Sequence, residues 1–161
     1  MFTFAVVLVL REYIMRSLFS LFAVLLLFAC DSGRTNRNPY LQEIGFRIDL
    51  NLNLPSYSAL KNTGSGVYVG SQGVGTKGIF VINTGFDNFM AFEASCPNHE
   101  PSACSTMILD ADKQNVTCSC EDYKYNLFTG QFLNRPEGDT RYHDMLFYSS
   151  SINGNIVTVR N

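Results

Sequence analysis

Four of the five cysteines and one of the two histidines fall between Cys96 and Gly130. They form two groups: Cys96 and Cys104 with His99 between them, then Cys118 and Cys120 followed at once by Glu121. Thiolate and imidazole are the donors that hold zinc and iron–sulfur clusters. In an oxidising compartment the same cysteines pair into disulfides. Two cysteine loops brought together by strands can therefore build a metal site or a pair of cross-links. A cysteine nucleophile activated by His99 or His143 would need an orienting third group, and none is identifiable. Asp110, Asp112, Glu121 and Asp122 add acidic side chains nearby, which read as a solvated loop edge rather than a cation site.

The segments that must position these loops read as strands. Phe46 to Leu54 alternates apolar and polar residues, the period of a strand with one face on a core. Pro55 ends it, and Tyr57 to Thr63 reads as a turn or a short helical segment. Val67 to Val69 predicts a short strand. Gly70 to Gly78 is glycine-rich but lacks the Lys-Ser/Thr ending and following helix of a phosphate loop, so a mobile hairpin loop is expected. Gly78 to Asn83 and Phe89 to Ala94 predict a hairpin turned by Thr84 to Asn88. Its second strand delivers the chain to Cys96. Gln131 to Leu133 predicts another short strand, and Met145 to Ser150 with Asn155 to Val159 a last hairpin through Asn153-Gly154. Tyr123, Tyr125, Phe128 and Phe132 read as core aromatics under the second cysteine loop. The chain is thus expected to be all-β. Its net charge of −2, without a basic stripe, argues against a nucleic-acid partner.

The N-terminal part reads as a leader. Met15-Arg16 precedes an apolar run from Leu18 to Ala29, too short to span a bilayer comfortably. Translation is expected to start at Met15. Leu27-Phe28-Ala29-Cys30 resembles the lipobox of bacterial lipoproteins, which implies a lipidated Cys30 at the mature N-terminus. Stable anchoring needs more than one acyl chain, at ~0.8 kcal/mol per buried methylene. The expected organisation is a signal peptide over 1–29, a lipidated tether over 30–40 and one domain over 41–161. The implied location is a bacterial cell envelope, lipid-anchored on the periplasmic or outer-membrane side. Setting Cys30 aside leaves an even number of cysteines in the domain, as expected of an exported chain with disulfides.

From Val67 to Val159 the order of parts resembles the Rieske [2Fe–2S] domain family, and the layout with its leader resembles small Rieske-like lipoproteins of the Bacteroidetes type. A strand pair runs into Cys96-Pro97-Asn98-His99, with Cys104 following. Then come Cys118-Ser119-Cys120-Glu121-Asp122-Tyr123, the aromatic Tyr125 and Thr129-Gly130. The resemblance implies stacked antiparallel sheets with both cysteine loops at one tip. It places Cys96 and Cys118 at the cysteine-ligand positions and Cys104 and Cys120 at the disulfide positions. The family's first histidine falls on Asn98, one step from His99, and its second falls on Glu121.

Three readings follow. In the preferred one the domain is cluster-free and braced by Cys104–Cys120, with Cys96–Cys118 as a further pair, and acts as a binding or structural module. In the second, Cys96, Cys118, His99 and Glu121 hold a [2Fe–2S] cluster that carries electrons, with His143 a remote substitute ligand. In the third, Cys96, His99, Cys118 and Cys120 hold structural zinc. None makes the chain an enzyme by itself; at most it is an electron-transfer component. The expected partners are a membrane, through the lipid, and an unidentified protein or redox partner.

Overall fold

The computed structural model describes Met15 and residues 38–161 except Asp139. The leader, Cys30 and most of the tether lie outside the described residues. Of the chain's two units the second, Asn38–Asn161, carries the fold. Asn38, the first described residue of this unit, is tied down. Its side-chain amide donates to the Pro97 carbonyl, and its oxygen accepts the Tyr40 and Leu41 N–H groups.

The domain is all-β. Its strands are β1 (Arg47–Asn51), β2 (Gly66–Val69), β3 (Ile79–Gly85), β4 (Asn88–Glu93), β5 (Ile108–Leu109), β6 (Asn115–Thr117), β7 (Lys124–Asn126), β8 (Phe147–Asn153) and β9 (Ile156–Arg160). A six-stranded antiparallel sheet runs β1-β9-β8-β4-β3-β2, and a three-stranded one runs β5-β6-β7. One 3-10 turn, Ser58–Lys61, interrupts the β1–β2 connection and buries Leu60.

The β3–β4 hairpin is a wall between two cores. Ile79, Val81, Phe89 and Ala91 face one core, with Leu50, Leu52, Tyr148 and Val157. Phe80, Ile82, Phe92 and Ala94 face the other, with Met107, Val116, Tyr125 and Leu127. Side chains alternate along a strand, so the even-numbered face continues past β4 from Phe92 through Ala94 to Cys96. On β6, the buried Val116 is followed two residues later by the buried Cys118. Strand parity thus carries one cysteine of each loop into the second core.

Several boundaries differ from the sequence expectation. The alternating run from Phe46 stops being a strand after Asn51, whose side-chain oxygen accepts the Asn53 N–H and turns the chain. Leu54 is left half exposed. The β3–β4 turn is shorter than Thr84–Asn88: Phe86 and Asp87 alone form it, both at positive φ (53° and 57°), as a type I′ turn requires. The last hairpin shifts by one residue. Asn153 pairs with Ile156, and Gly154 is the first central residue of the turn at φ +57°. Around Gln131 to Leu133 only a single bridge forms, Phe132 with Tyr125. Its partner strand β7 was not anticipated from the sequence.

The glycine-rich loop is pinned. The buried Glu93 carboxylate accepts the N–H groups of Thr76 (2.6 Å) and Lys77 (3.0 Å), the Ser95 N–H (2.9 Å) and the Tyr148 hydroxyl (2.7 Å). The expected mobile hairpin is therefore tied at its C-terminal half to the base of the first cysteine loop. At the other end of the second loop, Gly130 has φ +73°, and a Cβ there would stand 2.6 Å from the Phe92 ring. Only glycine lets the chain pass so close to that core aromatic.

Candidate metal-binding tip

The first loop leaves β4 at Glu93 and returns at Thr106, held by an antiparallel bridge between Ser95 and Thr106. The Cys96 N–H donates to the Ser105 carbonyl at 2.8 Å. The second loop turns between β6 and β7, where the Cys118 N–H donates to the Tyr123 carbonyl at 2.8 Å. Asp122 sits in the left-handed region at φ +57° within this turn.

The two loops are joined by a disulfide between Cys104 and Cys120, with Cα atoms 5.4 Å apart. Cys96 and Cys118 remain free and buried. A Cys96–Cys118 bridge is therefore absent, and Cys120 is consumed, which removes it from any zinc donor set. Cys96 and Cys118 are buried in the second core beside the other donors, while Cys104 is exposed and Cys120 is only partly buried.

Cys96 Sγ, Cys118 Sγ, a His99 ring nitrogen and a Glu121 carboxylate oxygen all lie within 4.8 Å of one another. His99 Nε2 is 3.3 Å from Cys118 Sγ and 3.2 Å from Glu121 Oε2. Cys118 Sγ is 3.4 Å from that same carboxylate oxygen. On the other side of the ring, Nδ1 lies 2.9 Å from the Glu100 carbonyl and 3.4 Å from Ser105 Oγ. A carbonyl can only accept, so this contact places a proton on Nδ1. When the ring is neutral, Nε2 then turns its lone pair toward the sulfur and carboxylate, the orientation of a metal-ligating histidine with an outer-shell carbonyl.

The family's first histidine position, Asn98, does other work. Its amide donates to Tyr125 Oη (2.8 Å) and the His143 carbonyl (2.9 Å), and its oxygen accepts the His143 N–H (2.7 Å). Asn98 thus staples the 140s loop to the first cysteine loop and has no side-chain atom left for a metal. His143 is outside the donor group; its ring stands edge-on to Tyr40. Two contacts were not anticipated as parts of the site: Tyr125 Oη, 3.7 Å from Cys96 Sγ, and Ser105 Oγ at the His99 ring. Tyr125 was legible only as a core aromatic, and it does stack on Phe132 at 4.9 Å. Asp110 and Asp112 are spent on structure. Asp110 accepts from Thr117 Oγ1 and pairs with Lys124, and Asp112 caps the turn by accepting the Gln114 and Asn115 N–H groups.

Electrostatics couples the two thiols. The hydrogen bond from Cys118 pulls the Cys96 pKa down against its burial. The same bond, with burial, pushes Cys118 up. Burial lowers the His99 pKa, but the contacts to Cys118, the Glu100 carbonyl and Glu121 outweigh it and raise the value overall.

The thiol half of this group suits a [2Fe–2S] cluster; the outer half does not. One imidazole and one carboxylate stand where such a centre uses two imidazoles. The spacing disagrees as well. Donors on opposite irons of a two-iron rhomb, with terminal bonds of ~2.0–2.3 Å at each end, stand more than about 5 Å apart. Here His99 and Glu121 are both within 3.4 Å of the Cys118 sulfur.

No family model matches the chain, and no curated protein matches it. Solved structures do. The plasma-membrane Rieske protein of the cyanobacterium Synechocystis PCC 6803 superposes with a TM-score of 0.50 at 16% identity, over 71% of this chain and 99% of that one. The complex of oxygenase and ferredoxin in carbazole 1,9a-dioxygenase gives 0.45 at 18% identity, over 74% and 94%. The ferredoxin of carbazole 1,9a-dioxygenase from Nocardioides aromaticivorans gives 0.41 at 16%, over 63% and 90%. With its antiparallel sheets, paired cysteine loops and bridging disulfide, the domain has the fold of the Rieske proteins.

Proposed function

We propose that this protein is a lipid-anchored protein of a bacterial envelope whose Rieske-like domain is a cluster-free, disulfide-braced binding module. Cys30 is the anchor, and the tip built from Cys96, His99, Cys118 and Glu121 is the binding site. The observation that carries this reading is the donor set: one imidazole and one carboxylate, both pressed against a single sulfur, where a two-iron centre needs a separated imidazole pair. A cluster held here with a carboxylate in place of the second imidazole would lack the ligation that raises a Rieske potential above that of all-thiolate centres.

The test is iron–sulfur reconstitution of the full chain under anaerobic conditions, followed by visible absorption and electron paramagnetic resonance. No cluster absorption and no reduced rhombic signal are expected. A stoichiometric [2Fe–2S] signal would overturn the reading in favour of an electron carrier. Lipidation is tested separately: Cys30→Ser should move the protein from the membrane fraction to the soluble one.

A further inference from the structure

The same geometry that disfavours two irons suits one metal ion. We propose that the tip binds a single divalent transition-metal ion of the zinc class, held tetrahedrally by Cys96 Sγ, Cys118 Sγ, His99 Nε2 and one Glu121 oxygen. This rests on the cluster-free reading above. Bonds of ~2.0–2.3 Å from a central ion give tetrahedron edges of about 3.3–3.8 Å. Three of the edges are already there, at 3.2, 3.3 and 3.4 Å. No donor pair exceeds 4.8 Å, so the widest edge has to close by only about 1 Å when the ion enters. A two-iron centre would instead force the Cys118 contacts to His99 and Glu121 open by about 2 Å each.

The surroundings fit the same occupant. Two sulfurs, one imidazole nitrogen and one carboxylate oxygen are the donor types of zinc, and they suit cobalt(II) as its spectroscopic stand-in. The Glu100 carbonyl and Ser105 Oγ on the far side of His99 give it the outer shell that metal-bound histidines have. The Cys104–Cys120 bridge closes the loops on the outer side, so both donor pairs face each other before any ion arrives. Binding releases the two thiol protons to solvent and oxidises nothing. Cys96 is fully buried while the Glu121 side chain is about one-third exposed. The carboxylate is therefore the ligand on the entry path, and the one that water or an incoming group would replace.

The experiment titrates Co2+ and then Zn2+ into the metal-free full chain, with the disulfide intact and free thiols counted beforehand. The expected result is one Co2+ per chain with the intense visible bands of tetrahedral thiolate coordination, displaced by one Zn2+. Cys118→Ser should weaken binding by more than ~100-fold, beyond the 10–100-fold typical of outer-shell losses. Glu121→Gln, on the exposed side, should keep the thiolate bands and weaken binding less. Circular dichroism of each variant separates lost ligation from lost folding. Three results would overturn the proposal: no ion bound by a chain with two counted thiols, binding indifferent to Cys118→Ser, or a Cys96–Cys118 disulfide in the purified chain. Each of these leaves the cluster-free reading standing. Two irons with two sulfides per chain would overturn both.

Discussion

Glu93 stands at the start of the first cysteine loop and Glu121 within the second, and the surroundings of these two carboxylates differ in kind. Glu93 is fully buried, and its oxygens accept three backbone N–H groups and one tyrosine hydroxyl. Every group it touches is a donor whose own need it satisfies. Glu121 is partly exposed and faces His99 and Cys118, side chains that are themselves able to ligate. A buried polar group is stable only when its hydrogen bonds are made, and Glu93 meets that condition with nothing left over. The Glu121 group gathers donor atoms that only partly satisfy one another. The difference separates a carboxylate that holds the fold from one that is available for binding.

The largest test of this contrast is Glu93→Ala. It strands the N–H groups of Thr76, Lys77 and Ser95 and the Tyr148 hydroxyl. Hydrogen bonds to a charged group are each worth ~1.5–3 kcal/mol, so a loss on the order of 3–5 kcal/mol is expected in urea denaturation. A loss under 1 kcal/mol would show that the glycine-rich loop does not depend on this pin. Next comes the double variant Cys104→Ala/Cys120→Ala. The bridged residues are 16 apart, and cross-linking a loop of this length is worth ~3 kcal/mol. If the double variant lost far less, the brace at the tip would be structural in name only.

Asn98→Ala should cost about 1–2 kcal/mol, since its three hydrogen bonds are partly exposed. Hydrogen exchange at the His143 amide should accelerate while exchange in β3 stays unchanged. Alkaline pH probes the two buried tyrosines. Burial first, then the Glu93 contact, raises the Tyr148 pKa; burial and the neighbouring Cys96 raise that of Tyr125. In the unfolded chain both lose their protons near pH ~10. Their contribution is therefore complete below that pH and is lost above it, at about 1.4 kcal/mol per pH unit for each tyrosine. A Tyr148→Phe chain should show a shallower decline between pH 10 and 11, read by chemical denaturation. Smallest of all is Glu121→Gln in the metal-free chain, which should stay within about 0.5 kcal/mol of the parent. A larger loss would make Glu121 a second structural carboxylate and dissolve the contrast with Glu93.

Much of this architecture is legible from local patterns. The alternation around Leu50, the apolar run Ile79 to Ile82 and the Asn-Gly signal at 153–154 each mark a strand or hairpin, because side-chain period and turn chemistry are properties of a few neighbouring residues. The two cysteine loops stand out by residue type alone. Boundaries were less legible. An asparagine side chain ended β1 early, and two non-glycine residues took up the β3–β4 turn. β7 was hidden because its lysine, tyrosine and asparagine give no apolar alternation over so short a span. The roles of Asn98 and His99 were the least legible. Adjacent residues on a loop give no sign of which one will face the sulfurs and which will staple a segment 45 residues away.

The sequence by itself determined that this is an all-β domain, that its cysteines fall in two loops, and that a glutamate follows the second cysteine pair. Those are matters of residue type and short-range period; that the two loops share one tip was implied only by the family resemblance. Only the tertiary structure decided that Cys96 and Cys118 stay unpaired, that Asn98 turns away to hold the 140s loop, and that Glu93 pins a loop that composition alone reads as free. Each of those outcomes depends on strand register and on contacts between residues far apart in the chain. A shift of one residue in the pairing of β4 or β6 would turn Cys96 or Cys118 out of the second core.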